Sequence, residues 1–438
     1  MSRTAELDPY GVKWMGPIPP SWSTAPTKRH FDIQLGKMLQ NSPASDIDKA
    51  VPYLKALHVL WGTVNTEDLP EMWANPSDIR QYGVRGGDLL VCEGGEVGRA
   101  GIVAAPPDDC IIQNALHRVR AKDSGDVGFL MYVLHAVNSA GWFDVLCNKA
   151  TIAHFTREKL ADLRIPVPKI DEQRAIAAFL DMETARIDAL IEKKERQIEL
   201  LQEKRTAVIS HAVTKGLNPN VKMKDSGIEW LGAIPEHWEI KALKRVFRIL
   251  NGSTPKSGEP SYWDGDIPWA TPDDLGSLQG SALFSTRRTI TKDGYNSCGT
   301  TLAPAGSLVL STRAPIGHLA IAAVPLCTNQ GCRCLVFHTK DETRFFYYLL
   351  LTARQELESW GQGSTFQELS RDKLGAVYLV SPPFPEQRAI AAFLDRETAR
   401  IDALIEKIRK SIDLLREYRT ALISAAVTGR IDVRGEVV

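Results

Sequence analysis

EQRAIAAFLDMETARIDALIEKKERQIELLQEKRTAVISHAVT, residues 172–214, returns as EQRAIAAFLDRETARIDALIEKIRKSIDLLREYRTALISAAVT at 386–428. About three positions in four are the same, and the copies lie about half a chain apart, so an internal repeat is the first architectural fact. Each copy reads as one long helix. Ala, Leu, Glu, Arg and Lys dominate, and neither Pro nor Gly interrupts the interior. Pro166 and Pro168 precede the first copy and Pro382, Pro383 and Pro385 the second, while Gly216 and Gly429 stand where helix stops belong.

Ile176, Phe179, Leu180, Ile187, Leu190, Ile191, Ile198, Leu201, Val208 and Ile209 recur at steps of three and four. Ile390, Phe393, Leu394, Ile401, Leu404, Ile405, Ile408, Ile412, Leu415, Leu422 and Ile423 do so in the second copy. This is one apolar stripe with charged flanks, close to a heptad seam. A helix of that length is a rod of roughly 60 Å. A stripe so long needs cover, and the simplest cover for each copy is the other.

The rest of the chain repeats more faintly. GVKWMGPIPPSWSTAPTKRHF (11–31) and GIEWLGAIPEHWEIKALKRVF (227–247) place Trp14 with Trp230, Trp22 with Trp238 and Lys28 with Lys244; the tryptophans read as packing residues. GGDLLVCEGGEVGRAGIV (86–103) and AGSLVLSTRAPIGHLAIA (305–322) each read as strand, turn and strand. IIQNALHRVR (111–120) and CTNQGCRCLVF (327–337) follow as strands carrying an amide pair. Helical runs start at Val127 and Glu342, and the segments 151–168 and 365–383 match weakly. The unit is a mixed α/β globule followed by a long helix, used twice.

Lys plus Arg and Asp plus Glu both total 53, so the chain has no overall basic field, although a local basic face would be hidden in that sum. No apolar run approaches a membrane span, and the first residues lack a signal layout, which points to the cytoplasm. Seven cysteines without a Cys-x-x-Cys pair read as reduced, mostly buried thiols. Gly94-Gly95-Glu96-Val97-Gly98-Arg99 lacks the Lys and hydroxyl of a phosphate-binding loop and reads as a tight turn. There is no dinucleotide fingerprint, no His-Glu-x-x-His and no Gly-x-Ser-x-Gly elbow, so nothing points to a catalytic, cofactor or metal site.

Polar readout has better support. Residues 252–274, GSTPKSGEPSYWDGDIPWATPDD, form a long Gly/Pro/Ser/Thr stretch read as a recognition loop, with LGKMLQN (35–41) as its counterpart. Arg and Lys suit phosphates and guanine, and Asn and Gln suit adenine. The DNA-binding candidates in the first half are Lys37, Gln40, Asn41, His58, Arg85, Arg99, Gln113, Asn114 and Arg118. In the second they are Thr254, Lys256, Ser257, Thr271, Arg287, Arg288, Lys292, Arg313, Asn329, Gln330 and Arg333. For each one, a solvated surface role is the competing reading.

With the two EQRAIAAFLD…ETARIDALIEK helices, GKMLQ, QNALHRVR and TPKSG…YWDGDIPWATPDDL, the chain resembles the DNA-specificity subunits of type I restriction-modification systems over nearly its whole length. The resemblance implies an α+β fold with an internal pseudo-two-fold repeat. Two target-recognition domains (1–168 and 216–384) would alternate with two long spacer helices (169–215 and 385–430) that form an antiparallel coiled coil. It further implies that each domain reads half of a bipartite, asymmetric site in double-stranded DNA and that the helices dock methyltransferase subunits. The chain itself would be non-catalytic and hold no cofactor. S-adenosylmethionine is then expected on the methyltransferase subunits, and ATP and magnesium on a separate motor-nuclease subunit. The small residues Ala175, Ala177, Ala178, Ala185 and Ala189, with Ala391, Ala392, Ala399 and Ala403, leave room for a methyltransferase helix; Ala is also simply a good helix former. Recognition domains vary between family members, so the DNA-binding candidates rest on loop chemistry alone. The competing architecture is a coiled-coil scaffold carrying two protein-binding globules.

Overall fold

A computed structural model describes residues 13–147, 154–361 and 368–433. Parts of the weakly matching segments, 151–153 and 365–367, lie outside them, as does Gly11. The chain folds as two compact units, Met1–Glu195 with Arg409–Val438 and Arg196–Ile408. The two long helices are Ile170–Lys215 and Phe384–Val427, and each contributes one part to each unit.

In the first unit a five-stranded sheet runs, in spatial order, Phe31–Leu35, Leu116–Ala121, Leu89–Cys92, Ala100–Ile102, Gly62–Thr63. A three-stranded sheet places Lys49–Leu54 between Glu71–Ala74 and Ile111–Ile112, and Ser23–Pro26 pairs antiparallel with Arg164–Val167. The second unit repeats the plan. Its five strands are Phe247–Asn251, Cys332–Phe337, Leu308–Ser311, Leu319–Ala322 and Ala282–Leu283. Trp263–Ala270 is the middle strand of its three, and Glu239–Ala242 pairs with Tyr378–Ser381. A further pair, Met223–Asp225 with Ala233–Pro235, belongs to the second unit. The strand Trp263–Ala270 corrects the reading of 252–274 as one loop. Trp263 and Trp269 are both buried, edge to face at 5.1 Å, and two aromatic anchors outweigh the Gly, Pro and Asp around them.

Each globule is fastened to the helix that follows it by residues of the repeated motif. In the first unit the buried Gln173 accepts a hydrogen bond from the Asp126 backbone N–H (3.0 Å) and donates to the Ser124 and Pro168 carbonyls (3.2 and 3.0 Å). About two turns along, the Tyr132 hydroxyl donates to Asp181 (2.7 Å) and lies 3.2 Å from the Thr184 hydroxyl. The second unit repeats both contacts. Gln387 accepts from the Glu342 N–H (2.8 Å) and donates to the Pro382 carbonyl (2.9 Å), and Tyr348 donates to Asp395 (2.8 Å) beside Thr398. Ile176 and Leu180, with Ile390 and Leu394, sit between these polar contacts and are 2% exposed or less. Gln173 and Thr184, with Gln387 and Thr398, are therefore as much a part of the buried face as the leucines are, and Asp181 and Asp395 accept at its edge.

The other end of each helix is held differently. Gly216 (φ 77°) and Gly429 (φ 69°) end the helices in the left-handed conformation that glycine adopts without strain. A Cβ on Gly429 would lie 2.5 Å from Pro19 Cγ and 3.0 Å from Trp22; one on Gly216 would lie 3.3 Å from Trp238. The Trp-x-Gly-x-Ile-Pro-x-x-Trp segments thus wrap helix ends, with Arg430 donating to the Met15 carbonyl and Lys215 to those of Leu231 and Ala233. In the first unit Arg419 forks onto Asp188 (2.9 and 3.2 Å) and Arg416 meets Glu195 at 3.0 Å, so the two helix segments run antiparallel. Arg205 and Asp402 (3.0 Å) form the same pair in the second unit. Such exposed pairs contribute little, about 0.2–1 kcal/mol each, and the shared apolar core holds the segments together. Ile187 shares one core with Leu422, Ile423, Ala426 and Val427 in one unit, as Ile209, Ala212 and Val213 do with Ile390, Ala391 and Leu394 in the other. Leu190 and Leu404, expected within the stripe, stay 43% and 41% exposed. At 100° per residue, Leu190 falls at the rim of a face centred on Ile176, Leu180 and Ile187.

All seven cysteines are free thiols, six of them buried and Cys298 half-buried. No helix among the described residues is long and apolar enough to cross a membrane.

The Gln contacts give a sharp expectation. Gln173→Ala orphans a buried N–H and two carbonyls and should cost about 1–3 kcal/mol. Gln173→Glu should be no better, because a carboxylate cannot donate to the Ser124 and Pro168 carbonyls. Thermal unfolding of the full chain checks this, and a Glu variant as stable as wild type would show that the amide donor is dispensable.

Candidate nucleic-acid interface

Both units bring the end of their outermost strand onto an amide-bearing turn, and glycine makes the approach possible. A Cβ on Gly36 would lie 2.2 Å from the Gln113 carbonyl oxygen, and one on Gly252 would lie 1.8 Å from that of Asn329. In the first unit the Lys37 N–H then donates to the Ile112 carbonyl (2.8 Å) and the Asn114 N–H to the Lys37 carbonyl (2.9 Å). In the second the Ser253 N–H donates to Thr328 (2.9 Å), and the Thr254 hydroxyl reaches the Gln330 side chain. Lys37, Gln113 and Asn114 are brought together here, as are Thr254, Asn329 and Gln330.

In the second unit the cluster extends further. Arg333 donates to the Gln330 carbonyl (2.9 Å), and Arg313 pairs with Glu368 at 3.1 Å, which also stands 3.9 Å from Arg333. Burial pushes the Arg333 guanidinium down from its usual range, against the pull of Glu368, and its Nε has no partner among the described residues. The Asn329 N–H donates to the Ala270 carbonyl, which puts Thr271 alongside. Thr271 caps the short helix Pro272–Gly276 through a reciprocal bond with Asp274, and Asp274 also accepts from the Arg287 N–H (2.9 Å). Arg288 stacks over Trp263 at 3.5 Å from the ring centre. Lys256, Ser257 and Lys292 are exposed on the same unit.

The remaining first-unit candidates are dispersed. Lys37 reaches Asp78 at 2.9 Å with both side chains largely covered. Gln40 donates to Asp48 (2.8 Å), and Asn41 is exposed beside it. His58 is buried, accepts from the Lys55 N–H (3.1 Å), and is pushed below its ordinary pKa by burial and then by Lys55. Arg99 holds Glu96 (2.6 Å) and the Ala56 carbonyl (3.0 Å). Arg118 is buried against the Gly83 carbonyl, beside the Arg120–Asp88 pair, whereas Arg85 stands 72% exposed. His58, Arg99 and Arg118 thus spend their polar atoms on the fold. Of the small residues singled out on the helices, Ala177 and Ala391 are buried and Ala175 is half-covered. Ala178, Ala185, Ala189, Ala392, Ala399 and Ala403 are exposed.

Sequence reasoning missed the polar residues that join globule to helix, Gln173, Tyr132, Asp181 and Thr184 with their second-unit equivalents. For the helix residues the signal was present: polar residues identical in both copies of the long helix.

A family model, the type I restriction modification DNA specificity domain, matches residues 75–200 and 235–414. The chain belongs to this family. It is 36% identical over 194 residues to the type I restriction enzyme MjaIX specificity subunit of Methanocaldococcus jannaschii, covering 44% of each chain. With the putative MjaX specificity subunit of the same organism it shares 26% over 367 residues, 82% of this chain and 81% of that one. Two solved structures share the fold at 18% identity. One, from a study of complex assembly and conformational transition of the type I R-M system, has a TM-score of 0.75 over 95% of this chain and 100% of its own. The other, the HsdS subunit from Thermoanaerobacter tengcongensis, has 0.60 over 95% and 99%.

Gly252→Ala and Gly36→Ala should each destabilise their unit by about 1–3 kcal/mol, because main chain rather than a flexible side chain must move. Gly258→Ala, with open space around it, should stay within about 0.5 kcal/mol. Urea unfolding followed by hydrogen exchange distinguishes them; equal effects at the three sites would remove the close-approach argument.

Proposed function

We propose that this chain is the non-catalytic DNA-reading subunit of a type I restriction-modification complex, each unit reading one half of a bipartite, asymmetric site in double-stranded DNA. One observation carries the reading. The two units share a scaffold down to the glycine under the amide turn, yet they present different side chains from it: Lys37, Gln113 and Asn114 in one, Thr254, Asn329 and Gln330 in the other. A duplicated scaffold with unlike polar tips is what two different half-sites require, because base edges are told apart by donor and acceptor pattern. Membership of a DNA-specificity family favours this over a scaffold that binds only protein.

In this reading the amide turns and the surrounding Arg and Lys residues meet base edges and phosphates, and the long helices set the spacing between half-sites. Phosphate contacts make binding salt-sensitive. With no net charge, the chain depends on partner subunits for added basic surface. Methyltransferase subunits dock on the exposed alanine face, Ala178, Ala185 and Ala189 on one helix and Ala392, Ala399 and Ala403 on the other, where a partner helix can approach closely. Ala175 flanks that face. S-adenosylmethionine then belongs to those subunits, and ATP and magnesium to motor-nuclease subunits that join through the complex.

The test is the mass and DNA binding of the purified complex. Ala178→Arg with Ala392→Arg should release the methyltransferase subunits and weaken the gel shift of a duplex carrying the site, while the chain itself stays folded. An unchanged mass would place docking elsewhere, and a wild-type complex that shifts no duplex would end the DNA reading.

A further inference from the structure

The second unit has a cationic corner whose counterpart in the first unit is tied up in bonds and carries an aspartate. The strand Phe247–Asn251 is the outer strand of its five-stranded sheet, and the short helix Arg371–Ala376 lies against it. Gly375 permits the contact, since a Cβ there would stand 3.3 Å from Lys244 Cβ and 3.5 Å from Ile249 Cδ1. Between the two opens a recess of about 570 Å³ whose charged and titratable lining is Lys244, Arg248, His338, Arg371 and Asp372. Lys244, Arg248 and Arg371 are exposed, and none forms an ion pair with another described residue.

The first unit builds the same corner, with Phe31 opening its outer strand opposite Ala121 as Phe247 does opposite Phe337. There every equivalent cation is occupied. Lys28 pairs with Asp162 at 2.7 Å, Arg157 donates to the Ile33 carbonyl (2.9 Å), and Lys122 donates to the Lys28 carbonyl (2.7 Å). Asp32 stands where the second unit has Arg248. The same corner thus carries three cations without an ion pair in one unit, and in the other an ion pair, two carbonyl-bound cations and an aspartate in place of the arginine.

We propose that this recess binds phosphate oxyanions of the DNA backbone, a contact made by the second unit alone. The proposal rests on the DNA reading above and extends it. The recess and the amide turn share one strand, Phe247–Asn251, which ends at Gly252 beneath Asn329, and the segment leading into Arg371 is tied beside Arg313 by the Leu369 N–H on the Thr312 carbonyl (2.8 Å). Lysine and arginine without base-edge partners position the duplex and carry no sequence information.

The full chain, purified with its methyltransferase partners, is titrated against a labelled random-sequence duplex at a series of salt concentrations. Wild type is compared with Lys244→Ala/Arg248→Ala/Arg371→Ala and with Arg248→Asp, the residue the first unit carries. The log–log salt slope should become shallower by roughly 2–3 in the triple variant and by about 1 in the single one, at about 0.9 per phosphate contact. The methylated motif should not change. Unchanged slopes with wild-type binding intact would overturn the recess and leave the DNA reading standing; a wild type that binds no duplex would overturn both. Inorganic phosphate that raises the melting temperature of wild type but not of the triple variant, with slopes unchanged, would assign the recess to a free anion and overturn the DNA contact. Should the triple variant fail to fold, Arg248→Asp decides.

Discussion

A long amphipathic helix cannot leave its apolar face in water, and here that face is divided between two globules. The division depends on a few buried hydrogen bonds. Gln173 and Gln387 satisfy main-chain groups at the start of a globular helix and at the turn entering the long one, so they fix the angle between them. A buried amide with three partners is costly to misplace, whereas the apolar contacts beside it would tolerate sliding. Tyr132 on Asp181 and Tyr348 on Asp395 pin a second point, and two points define a rigid joint.

That joint explains why the duplicated helices have stayed nearly identical while the globules have diverged. A globule can change its loops without cost so long as its Gln acceptor, its Tyr hydroxyl and its Trp-lined helix end remain. Lys37, Gln113 and Asn114 could become Ser253, Asn329 and Gln330 on an unchanged frame. The basic corner at Lys244, Arg248 and Arg371 shows the same freedom, for the first unit has Asp32 and a Lys28–Asp162 pair in its place. In the proposed function, specificity and affinity lie with the side chains that differ between the two units on this shared frame.

How much of this was legible depends on the kind of signal. The long helices, their glycine stops and the doubled α/β unit could be read directly, because period and repetition survive in a linear string. The strand Trp263–Ala270 could not, since its Gly, Pro and Asp spell a loop and only burial of Trp263 and Trp269 reveals the sheet. Among the candidate readers, Gln113, Asn114, Asn329 and Gln330 stand on turns in front of the glycines. His58, Arg99 and Arg118 look the same in sequence but bond inward, because a side chain's direction is set by strand register and by carbonyls far along the chain. Arg248 escaped notice for the opposite reason: its significance lies in the ion pair it lacks, and only comparison with Asp32 exposes that.

The central claim is that one frame presents two unlike readers at a spacing the helices set. Mapping methylated bases across the genome of a host carrying this chain and its methyltransferase tests it most directly. The comparison strain carries one extra helical turn after Lys193 and another after Lys407. The expected result is a single motif with two different half-sites, whose gap lengthens in the comparison strain while the bases of each half stay the same. A continuous motif, or altered bases at an unchanged gap, would contradict it.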